Sequence, residues 1–461
     1  MLDLIIDISN NLMIFLFAFY TLESFVAFQK GIRQKTKDRI LSSQCILIFL
    51  IHLIAFNIIY IATDDIKIIL FYFAQVALLA VIQTGYLFFY ENASRMLTNH
   101  LCMLLVIGFI MLTRLSFDRA KKQYIIAVIS VILAFIVPVC IKRVGFVRKL
   151  YWLFAAGGIA SLLLVAIAGA TSYGAKISIA FAGISIQPTE LVKIAFVFFV
   201  AGMLYQDTSF KRVCITTVLA AAHVLILVFS KDLGGALIFF ITYLVMLYVA
   251  TRKLFYFLAG ILTGCIAAEV GYHMFSHVRV RVIAWRDPLS VVENEGYQVS
   301  QSLFGIGTGG WLGMGLYQGA PNKIPVVEQD FIFSAIAEEL GGIFALCLIL
   351  VCASCFMLFM NIAMQMKDSF YKLVALGLGT VYGFQSILTI GGAIKFIPST
   401  GVTLPLVSYG GSSLLCSIII FAIIQGLYMR KQDEGESNDT GRKNKAKKRK
   451  TKFDTEIESF S

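Results

Sequence analysis

Long apolar stretches dominate the sequence and leave room for only one kind of architecture. A membrane-spanning helix needs about 20 consecutive apolar residues. Composition agrees with repeated spans, since 59% of the residues are hydrophobic and only 14% are charged. We therefore predict an all-α, polytopic membrane protein with about 13 transmembrane helices. The stretches lie near residues 8–28, 40–62, 66–90, 97–117, 124–141, 150–170, 189–206, 212–230, 233–250, 254–275, 331–361, 370–394 and 412–430.

Positive charge follows the ends of these stretches rather than forming a surface for nucleic acid. The net charge of +12 comes from short basic loops and from the tail GRKNKAKKRKTK, residues 441–452. Lys and Arg collect on the cytoplasmic side of membrane proteins, so we place this tail inside. Counting spans then places the N-terminus outside. One basic loop, DRAKKQ at 118–123, falls on the outer side as an exception. We expect no nucleic-acid partner.

The C-terminal tail, residues 431–461, has few apolar residues and no periodicity. This composition predicts disorder. The basic part of the tail either fixes the topology or contacts anionic membrane lipid, and the first role is the simpler one.

Cysteine positions give no sign of a disulfide framework or a metal centre. All nine cysteines lie within apolar stretches, out of reach of an oxidising compartment. Cys352 and Cys355 have CxxC spacing, but without a second pair we interpret them as small buried hydrophobic residues. The sequence thus names no metal ligand, and it leaves open whether a divalent cation is required.

Residues 398–412, PSTGVTLPLVSYGGS, lie between two apolar stretches and carry no charge, yet they are too rich in Pro, Gly and hydroxyl groups for a membrane helix. Irregular backbone next to lipid is tolerated mainly where it is buried in protein or lines a wet cavity. We therefore interpret this segment as a candidate functional site. Two further polar segments, 171–188 and 276–330, lie on the same predicted outer side.

Several charged residues fall at the predicted membrane edge. Glu190 and Lys193, three apart, share one face of a helix start, as an ion pair or as substrate contacts. Asp232 precedes an apolar stretch, where it is either a helix cap or a functional carboxylate. Asp330 is predicted to cap the helix that begins there, and Glu338 lies inside that helix at membrane depth.

The segment 276–330 is the richest in potential chemistry. Its cations include Arg279, Arg281 and Lys323, and its carboxylates include Asp287 and Glu293. A GxGxxG pattern starts at Gly305, but no strand precedes it, so we interpret these glycines as flexible backbone rather than as a dinucleotide site.

Five motifs follow one another along the chain: QPTELVK, KDLGGAL, GYQVSQSLFGIGTGGWLGMGL, DFIFSAIAEELG and PSTGVTLPLVSYGGSS. In this order they resemble the SEDS family of cell-wall polymerases, which includes FtsW, RodA and SpoVE. The resemblance implies a ten-helix core within residues 96–430, with the large outer loop at 276–330. Residues 1–95 then form three additional helices that the resemblance does not explain, and residues 431–461 form the tail.

The resemblance implies peptidoglycan glycosyltransfer from lipid II at the outer face of the bacterial cytoplasmic membrane, with a class B penicillin-binding protein as partner. A carboxylate has to take the proton of the attacking sugar hydroxyl, and cations have to stabilise the departing pyrophosphate. The substrate-binding residues implied by the motifs and the neighbouring charges are Glu190, Lys193, Asp232, Arg279, Arg281, Gln298, Gln301, Lys323, Asp330, Glu338, Ser408, Gly410 and Ser412.

The sequence departs from the family where the family's essential aspartate is expected. Aligned without a gap from Arg281 to Gln298, that position holds Val291, which cannot accept a proton. We therefore expect the catalytic carboxylate to be Asp287 or Glu293. Two alternatives to an enzyme remain: a non-catalytic subunit that binds lipid II and scaffolds a penicillin-binding protein, and a flippase for a lipid-linked precursor.

Overall fold

Helices make up most of the chain. The computed structural model describes residues 2–29, 31–143, 145–172, 175–181 and 184–458. The helices are α1 (Leu2–Val26), α2 (Gln34–Thr63), α3 (Ile66–Phe89), α4 (Arg95–Leu115), α5 (Phe117–Arg143), α6 (Tyr151–Ala168), α7 (Pro188–Leu204), α8 (Phe210–Phe229), α9 (Leu233–Thr251), α10 (Leu254–Met274), α11 (Ser276–Arg286), α12 (Tyr297–Gly309), α13 (Ile332–Gln365), α14 (Ser369–Ala393) and α15 (Gly411–Glu458). Short 3₁₀ turns lie at Gly145–Lys149 and Pro321–Lys323.

The prediction of an all-α polytopic membrane protein is confirmed. Within the described residues, twelve helices are long and apolar enough to cross a bilayer. The predicted span at 189–206 corresponds to α7, which has 17 residues and crosses the same bundle. Its first residues lie beside the start of α15, since the Gln187 N–H donates to Ser412 Oγ at 2.9 Å. Its far end packs on the start of α6, where Gly202 faces Tyr151.

A small antiparallel sheet is the one addition to this helical architecture among the described residues. Strands β1 (Ala170–Ser172), β2 (Ala175–Phe181) and β3 (Ile184–Ile186) are ordered β1-β2-β3 between α6 and α7. The register pairs Thr171 with Lys176 and Ile179 with Ile186. The sheet therefore occupies the polar segment that the sequence places at 171–188.

Helix α4 forms the centre of the bundle. Every residue from Met96 to Thr113 is buried. Helices α2, α3, α5, α13 and α15 contact α4, and α13 and α14 pack against each other over much of their length. A mostly apolar helix suits this enclosed position, and the buried polar side chains of α4, such as Asn99 and His100, are hydrogen-bonded to its neighbours.

Most of the loop structure lies at one end of the bundle, which we call the loop-rich end (residues 275–331 and 394–410). The sequence predicts flexible backbone around Gly305, whereas the structure has α11 and α12 in this region. Gly305 lies inside α12 and faces Glu338 of α13. The glycine therefore permits close helix packing rather than flexibility.

The three additional helices are integral to the bundle. Helix α1 packs on α2 and α13, and α2 packs on α4. A buried polar chain joins α1, α4 and α13: Tyr20 Oη to His100 Nδ1 at 2.8 Å and His100 Nε2 to Ser354 Oγ at 2.8 Å. A second set joins α2 to its neighbours, since Gln44 donates to Ser24 Oγ at 2.9 Å and Asn99 donates to the Leu41 carbonyl at 2.9 Å. Polar groups in an apolar interior need such partners, so these bonds fix how the helices dock.

The backbone of the C-terminal tail is helical through Glu458, as a continuation of α15, where the sequence predicts disorder. Lys, Arg and Glu have high helix propensity, and the membrane span supplies the first turns that an isolated helix would have to nucleate.

The histidine that joins α1 to α13 provides a test of this docking. We expect His100→Ala to lower the thermal stability of the purified protein, because Tyr20 and Ser354 each lose a buried partner at a cost of about 1–3 kcal/mol. The matched control is His273→Ala in α10, an exposed histidine whose side chain pairs only with Glu269. The measurement is the midpoint of thermal unfolding in detergent, and equal midpoints for both variants would contradict the docking role.

Candidate active site at the loop-rich end

A buried ion pair on α7 forms the base of the site. Lys193 Nζ donates to Glu190 Oε1 at 2.9 Å and to Gln385 Oε1 of α14 at 2.8 Å. Both charged residues are buried. Glu190 and Lys193 lie three apart on one helical turn, so the predicted shared face is confirmed. The Lys193 ammonium therefore links α7 to α14 in an environment where an unpaired charge would be costly.

The segment between α14 and α15 is irregular, as the sequence predicts, and most of it is buried. Side chains from three helices, α5, α11 and α14, bind its backbone carbonyls. Gln385 donates to the Thr403 carbonyl at 3.0 Å and Thr389 to the Val402 carbonyl at 2.9 Å. Gln123 donates to the Ser408 carbonyl at 3.0 Å, and Arg281 donates to the Ser399 carbonyl at 2.8 Å.

Hydroxyl groups within the segment complete its anchoring. Ser408 Oγ donates to the Gln329 carbonyl at 2.5 Å and accepts from the Leu404 N–H at 2.9 Å. The hydroxyls of Thr403 and Ser413 are hydrogen-bonded at 2.7 Å. Gly410 N–H donates to Gln123 Oε1 at 3.3 Å. Among the predicted substrate contacts, Ser408, Gly410 and Ser412 are thus all engaged in protein hydrogen bonds.

The basic segment at 118–123, the exception to the charge rule, forms the first turns of α5 rather than a loop and contacts this same region. Arg119 forms an ion pair with Glu328, and its guanidinium lies 5.7 Å from the Tyr409 ring centroid. The Tyr409 N–H donates to the Glu328 carbonyl at 2.7 Å. The cation therefore has a structural partner at the loop-rich end, which accounts for its unusual position.

Arg281, Asp330 and Asp232 converge beside Gly401. A β-carbon on Gly401 would lie 3.6 Å from Arg281 Nη2 and 3.6 Å from Asp330 Oδ2. Gly401 has φ +73°, which favours glycine. Asp232 precedes α9, where Gly234 packs on Thr400 and Val402. Helices α9 and α11 and the segment before α13 thus bring one cation and two carboxylates together.

Asp232 caps α9, as one of its two predicted roles requires. Its Oδ1 accepts from the Gly235 N–H at 2.8 Å. The predicted cap at Asp330 is wrong, because the capping position of α13 is Phe331 and carries no side-chain cap bond. Helix α13 begins one residue later than the sequence pattern indicates. The Asp330 carboxylate points toward Gly401 and Arg281 instead of capping the helix.

Burial changes the acidity of these groups. It raises the pKa of Asp330 to about 6, and the nearby Arg281 charge opposes the rise. Burial also raises the pKa of Asp232, opposed by the hydrogen bond from Gly235 and the charge of Lys193. Burial lowers the pKa of Arg281, which nevertheless stays cationic at neutral pH.

Three buried polar atoms around this cluster have no hydrogen-bond partner within the described part of the chain: Asp232 Oδ2, Thr400 Oγ1 and His277 Nε2. Lys231 and Arg281 both lower the pKa of His277, after the larger effect of burial, so His277 lies in the same electrostatic neighbourhood. Buried polar atoms are normally paired. These three atoms therefore have unused hydrogen-bonding capacity beside the Arg281 cluster.

Glu338 belongs to a separate, structural cluster. Its Oε1 accepts from the Ala320 N–H at 2.8 Å. The adjacent Glu339 pairs with Arg114 at 2.8 Å, and Arg114 stacks 4.2 Å from the Tyr317 ring centroid. The loop 310–320 is thereby held on α13, where Gly341 has φ +89°. Glu338, predicted to contact substrate, binds the protein backbone through Oε1 in this structure.

The remaining predicted residues lie away from the Arg281 cluster or on the surface. Arg279 is exposed and donates to the His273 carbonyl at 3.1 Å. Asp287 and Glu293 are exposed, and Asp287 Oδ1 accepts from the Ser290 N–H at 3.4 Å. Gln298 is exposed and Gln301 is half-buried, both in α12, and Lys323 is exposed at the end of the 3₁₀ turn Pro321–Lys323.

Sequence reasoning missed Gln385, Gln123, Arg114 and Thr389, which bind the loops at this end. Gln385 interrupts an apolar run, VYGFQSILT, and an isolated amide in a membrane helix is the signal that could have found it. Across the described residues, no group of three or more His, Cys, Asp or Glu side chains is arranged to hold a metal ion.

Together, the fold and the site define a polytopic membrane protein with a cluster of buried charged and polar side chains at one end of its helix bundle. The family model described as cell cycle protein, for FtsW, RodA and SpoVE, matches residues 94–433. The chain belongs to this family, and the predicted SEDS resemblance is confirmed. Residues 1–93 lie outside the match.

Individual relatives agree with this assignment. The peptidoglycan glycosyltransferase RodA of Mycobacterium leprae (strain TN) is 38% identical over 267 residues, covering 54% of this chain and 57% of the relative. The chain thus spans little more than half the length of this mycobacterial relative. Stage V sporulation protein E of Bacillus subtilis (strain 168) is 31% identical over 325 residues, covering 67% of this chain and 86% of the relative.

Solved structures share the fold. A chain from a peptidoglycan synthase complex that coordinates polymerization and crosslinking superposes with a TM-score of 0.64 at 23% identity, covering 74% of this chain and 98% of that one. The Rod shape determining protein RodA of Thermus thermophilus superposes with a TM-score of 0.54 at 20% identity, covering 73% and 96%.

The Arg114–Glu339 pair tests the support of the loop 310–320. Arg114→Ala leaves a buried carboxylate without its cation, so we expect destabilisation by about 3–5 kcal/mol. The control is Lys121→Ala, which removes the cation of an exposed pair with Asp118 and should leave stability unchanged. Thermal unfolding of the two purified variants measures the difference, and similar midpoints would refute a buried supporting role for Arg114.

Proposed function

We propose that this protein is a peptidoglycan glycosyltransferase that polymerises lipid II at the outer face of the bacterial cytoplasmic membrane. The observation that carries the proposal is the cluster of Arg281, Asp330 and Asp232 with three unpartnered polar atoms at the loop-rich end. The names of the relatives, peptidoglycan glycosyltransferase RodA and stage V sporulation protein E, support the same reaction.

The chemistry of the site suits this reaction. A sugar hydroxyl attacks the anomeric carbon of the lipid-linked donor, and the polyprenyl pyrophosphate leaves with the bonding electron pair. Arg281 and, on the same side, Lys231 and His277 supply positive charge or donors for the departing phosphate oxygens. Lys193 is already bound to Glu190 and Gln385, so it shapes the field of the site rather than binding the leaving group directly.

The orientation proposed from the sequence suits this substrate. With the N-terminus outside and the C-terminus cytoplasmic, the loop-rich end faces the cell exterior. Asn10 near the start of α1 donates to the Leu312 carbonyl at 2.7 Å, and α15 leaves this same end toward the basic tail. A membrane-anchored donor would then reach Arg281 from the outer leaflet.

A class B penicillin-binding protein is the proposed partner. One structural neighbour comes from a peptidoglycan synthase complex that combines polymerization with crosslinking. A polymerase of glycan strands supplies the substrate of a crosslinking enzyme, which makes such a partnership chemically reasonable. Division, elongation and sporulation all require glycan strands that are polymerised and crosslinked, so this partnership is compatible with each of them.

A non-catalytic subunit that binds lipid II is the second candidate function. The observation that favours it is the absence of a carboxylate at Val291, together with the exposed positions of Asp287 and Glu293. Binding without turnover requires only the cations of the site.

Glycan polymerisation by the purified full-length protein tests the proposed function. Lipid II is supplied in liposomes, with and without the candidate penicillin-binding protein, and polymer length is read on gels. We expect polymer from the wild type and a loss of about 10²–10³-fold in rate for Arg281→Gln, because one preorganised donor to the leaving group is removed.

The matched control is Lys67→Gln, an exposed cation at the start of α3 at the same end of the bundle. It should polymerise at the wild-type rate. Lipid II binding without polymer under every condition would instead identify the non-catalytic subunit.

A further inference from the structure

The carboxylates near the proposed site are not equally free to accept a proton. Glu190 is bound to Lys193 at 2.9 Å. Asp232 uses Oδ1 as the cap of α9, and its Oδ2 is buried. The carboxylate of Asp330 makes no hydrogen bond or ion pair with any described residue, and its side chain is partly accessible. Of the three, Asp330 is the carboxylate that no hydrogen bond or ion pair engages within the described residues.

The two carboxylates that the sequence suggests are placed differently. Asp287 ends α11 at an exposed turn, where it binds Ser290. Glu293 is also exposed, in the turn before α12. Neither makes a contact with Arg281 or Asp330 in the described structure. A general base has to lie within hydrogen-bond reach of the proton that it takes, and these two exposed carboxylates lie apart from the Arg281 cluster.

The surroundings of Asp330 suit a base. Arg281 of α11 faces Asp330 beside Gly401, and the same arginine interacts with Asp232 at the start of α9. Lys231 and Arg281 both lie near His277, and the Glu190–Lys193 pair of α7 lies near Asp232. Burial brings its pKa to about 6, near the pH at which a general base is most effective. Arg281 keeps the carboxylate ionised at neutral pH and also faces the space in which a leaving phosphate would develop charge.

We propose that Asp330 is the general base of the glycosyl transfer. This inference rests on the proposed function. The acceptor hydroxyl gives its proton to the Asp330 carboxylate as its oxygen bonds to the anomeric carbon. The bond from that carbon to the pyrophosphate oxygen breaks, and the electron pair leaves with the pyrophosphate beside Arg281. The proton on Asp330 then passes to solvent, so no further reactant is needed.

Polymerisation kinetics of the full-length protein with lipid II in liposomes, together with the proposed partner, test this assignment. We expect Asp330→Asn to lower kcat by about 10²–10⁴-fold while lipid II binding remains. Asp330→Glu should restore part of the rate. Asp287→Ala and Glu293→Ala test the carboxylates suggested by the sequence, and Glu269→Gln, which changes an exposed carboxylate of α10, is the control that should keep the wild-type rate.

The pH profile distinguishes a base from a structural aspartate. The base works only when deprotonated, so the wild-type rate should fall as the pH drops through about 6, and Asp330→Glu should shift this limb. If Asp330→Asn does not fold, the profiles of the wild type and of Asp330→Glu still decide the question. A wild-type rate that is constant between about pH 5 and 7 would overturn the assignment.

Other outcomes are equally informative. Full activity in Asp330→Asn with wild-type polymer formation would overturn the base and leave the proposed function standing. Loss of activity in Asp287→Ala or Glu293→Ala alone would move the base to the loop before α12. A wild type that forms no polymer at all would remove the proposed function, and the role of Asp330 with it.

Discussion

The irregular backbone between α14 and α15 determines how the loop-rich end is built. Free carbonyl groups at the edge of a bilayer have no water to bind, and each one left unpaired costs several kcal/mol, on the order of a lost hydrogen bond or more. Here the side chains of Arg281, Thr389, Gln385 and Gln123 supply the missing donors. These residues come from α11, α14 and α5, so satisfying one segment fixes the positions of three helices. Lys193 then ties α7 to the same arrangement through Gln385.

These donors bind backbone carbonyls. The charged groups near them that have no such partner are therefore few among the described residues. Arg281 donates from Nη1 to the Ser399 carbonyl, and its Nη2 lies near Gly401 and Asp330. Glu338 binds the loop 310–320, and Glu339 forms an ion pair with Arg114. The carboxylate proposed to act in catalysis therefore differs from the carboxylates that hold the loop in place, although all of them lie at the same end of the bundle. Carboxylates that look alike in the sequence therefore differ in the groups that they bind.

The added N-terminal helices extend this scaffold. Helix α1 lies along α13, and its residues Asn10 and Ile6 contact the loop at Leu312 and Gly315. That loop in turn binds the backbone of Glu338 and Glu339. A continuous series of contacts thus connects the N-terminal region to α13 through this loop. The polar chain through Tyr20, His100 and Ser354 fixes the register of this docking, since a slip of one residue would leave buried donors unpaired.

The sequence by itself determined the class of fold, the number and approximate limits of the spans, and the family. These follow from apolar length and ordered motifs, which are local properties of the chain. It also identified the irregular segment and the Glu190–Lys193 pair, because both depend on neighbouring residues. The tertiary structure decided which carboxylate is free, since that depends on contacts between residues far apart in sequence. Asp330 was predicted as a helix cap and proved to face Arg281 instead, whereas Asp287 and Glu293 lie on the surface. The physical reason is that acidity and availability are set by burial and by partners, and only the folded chain brings those partners together.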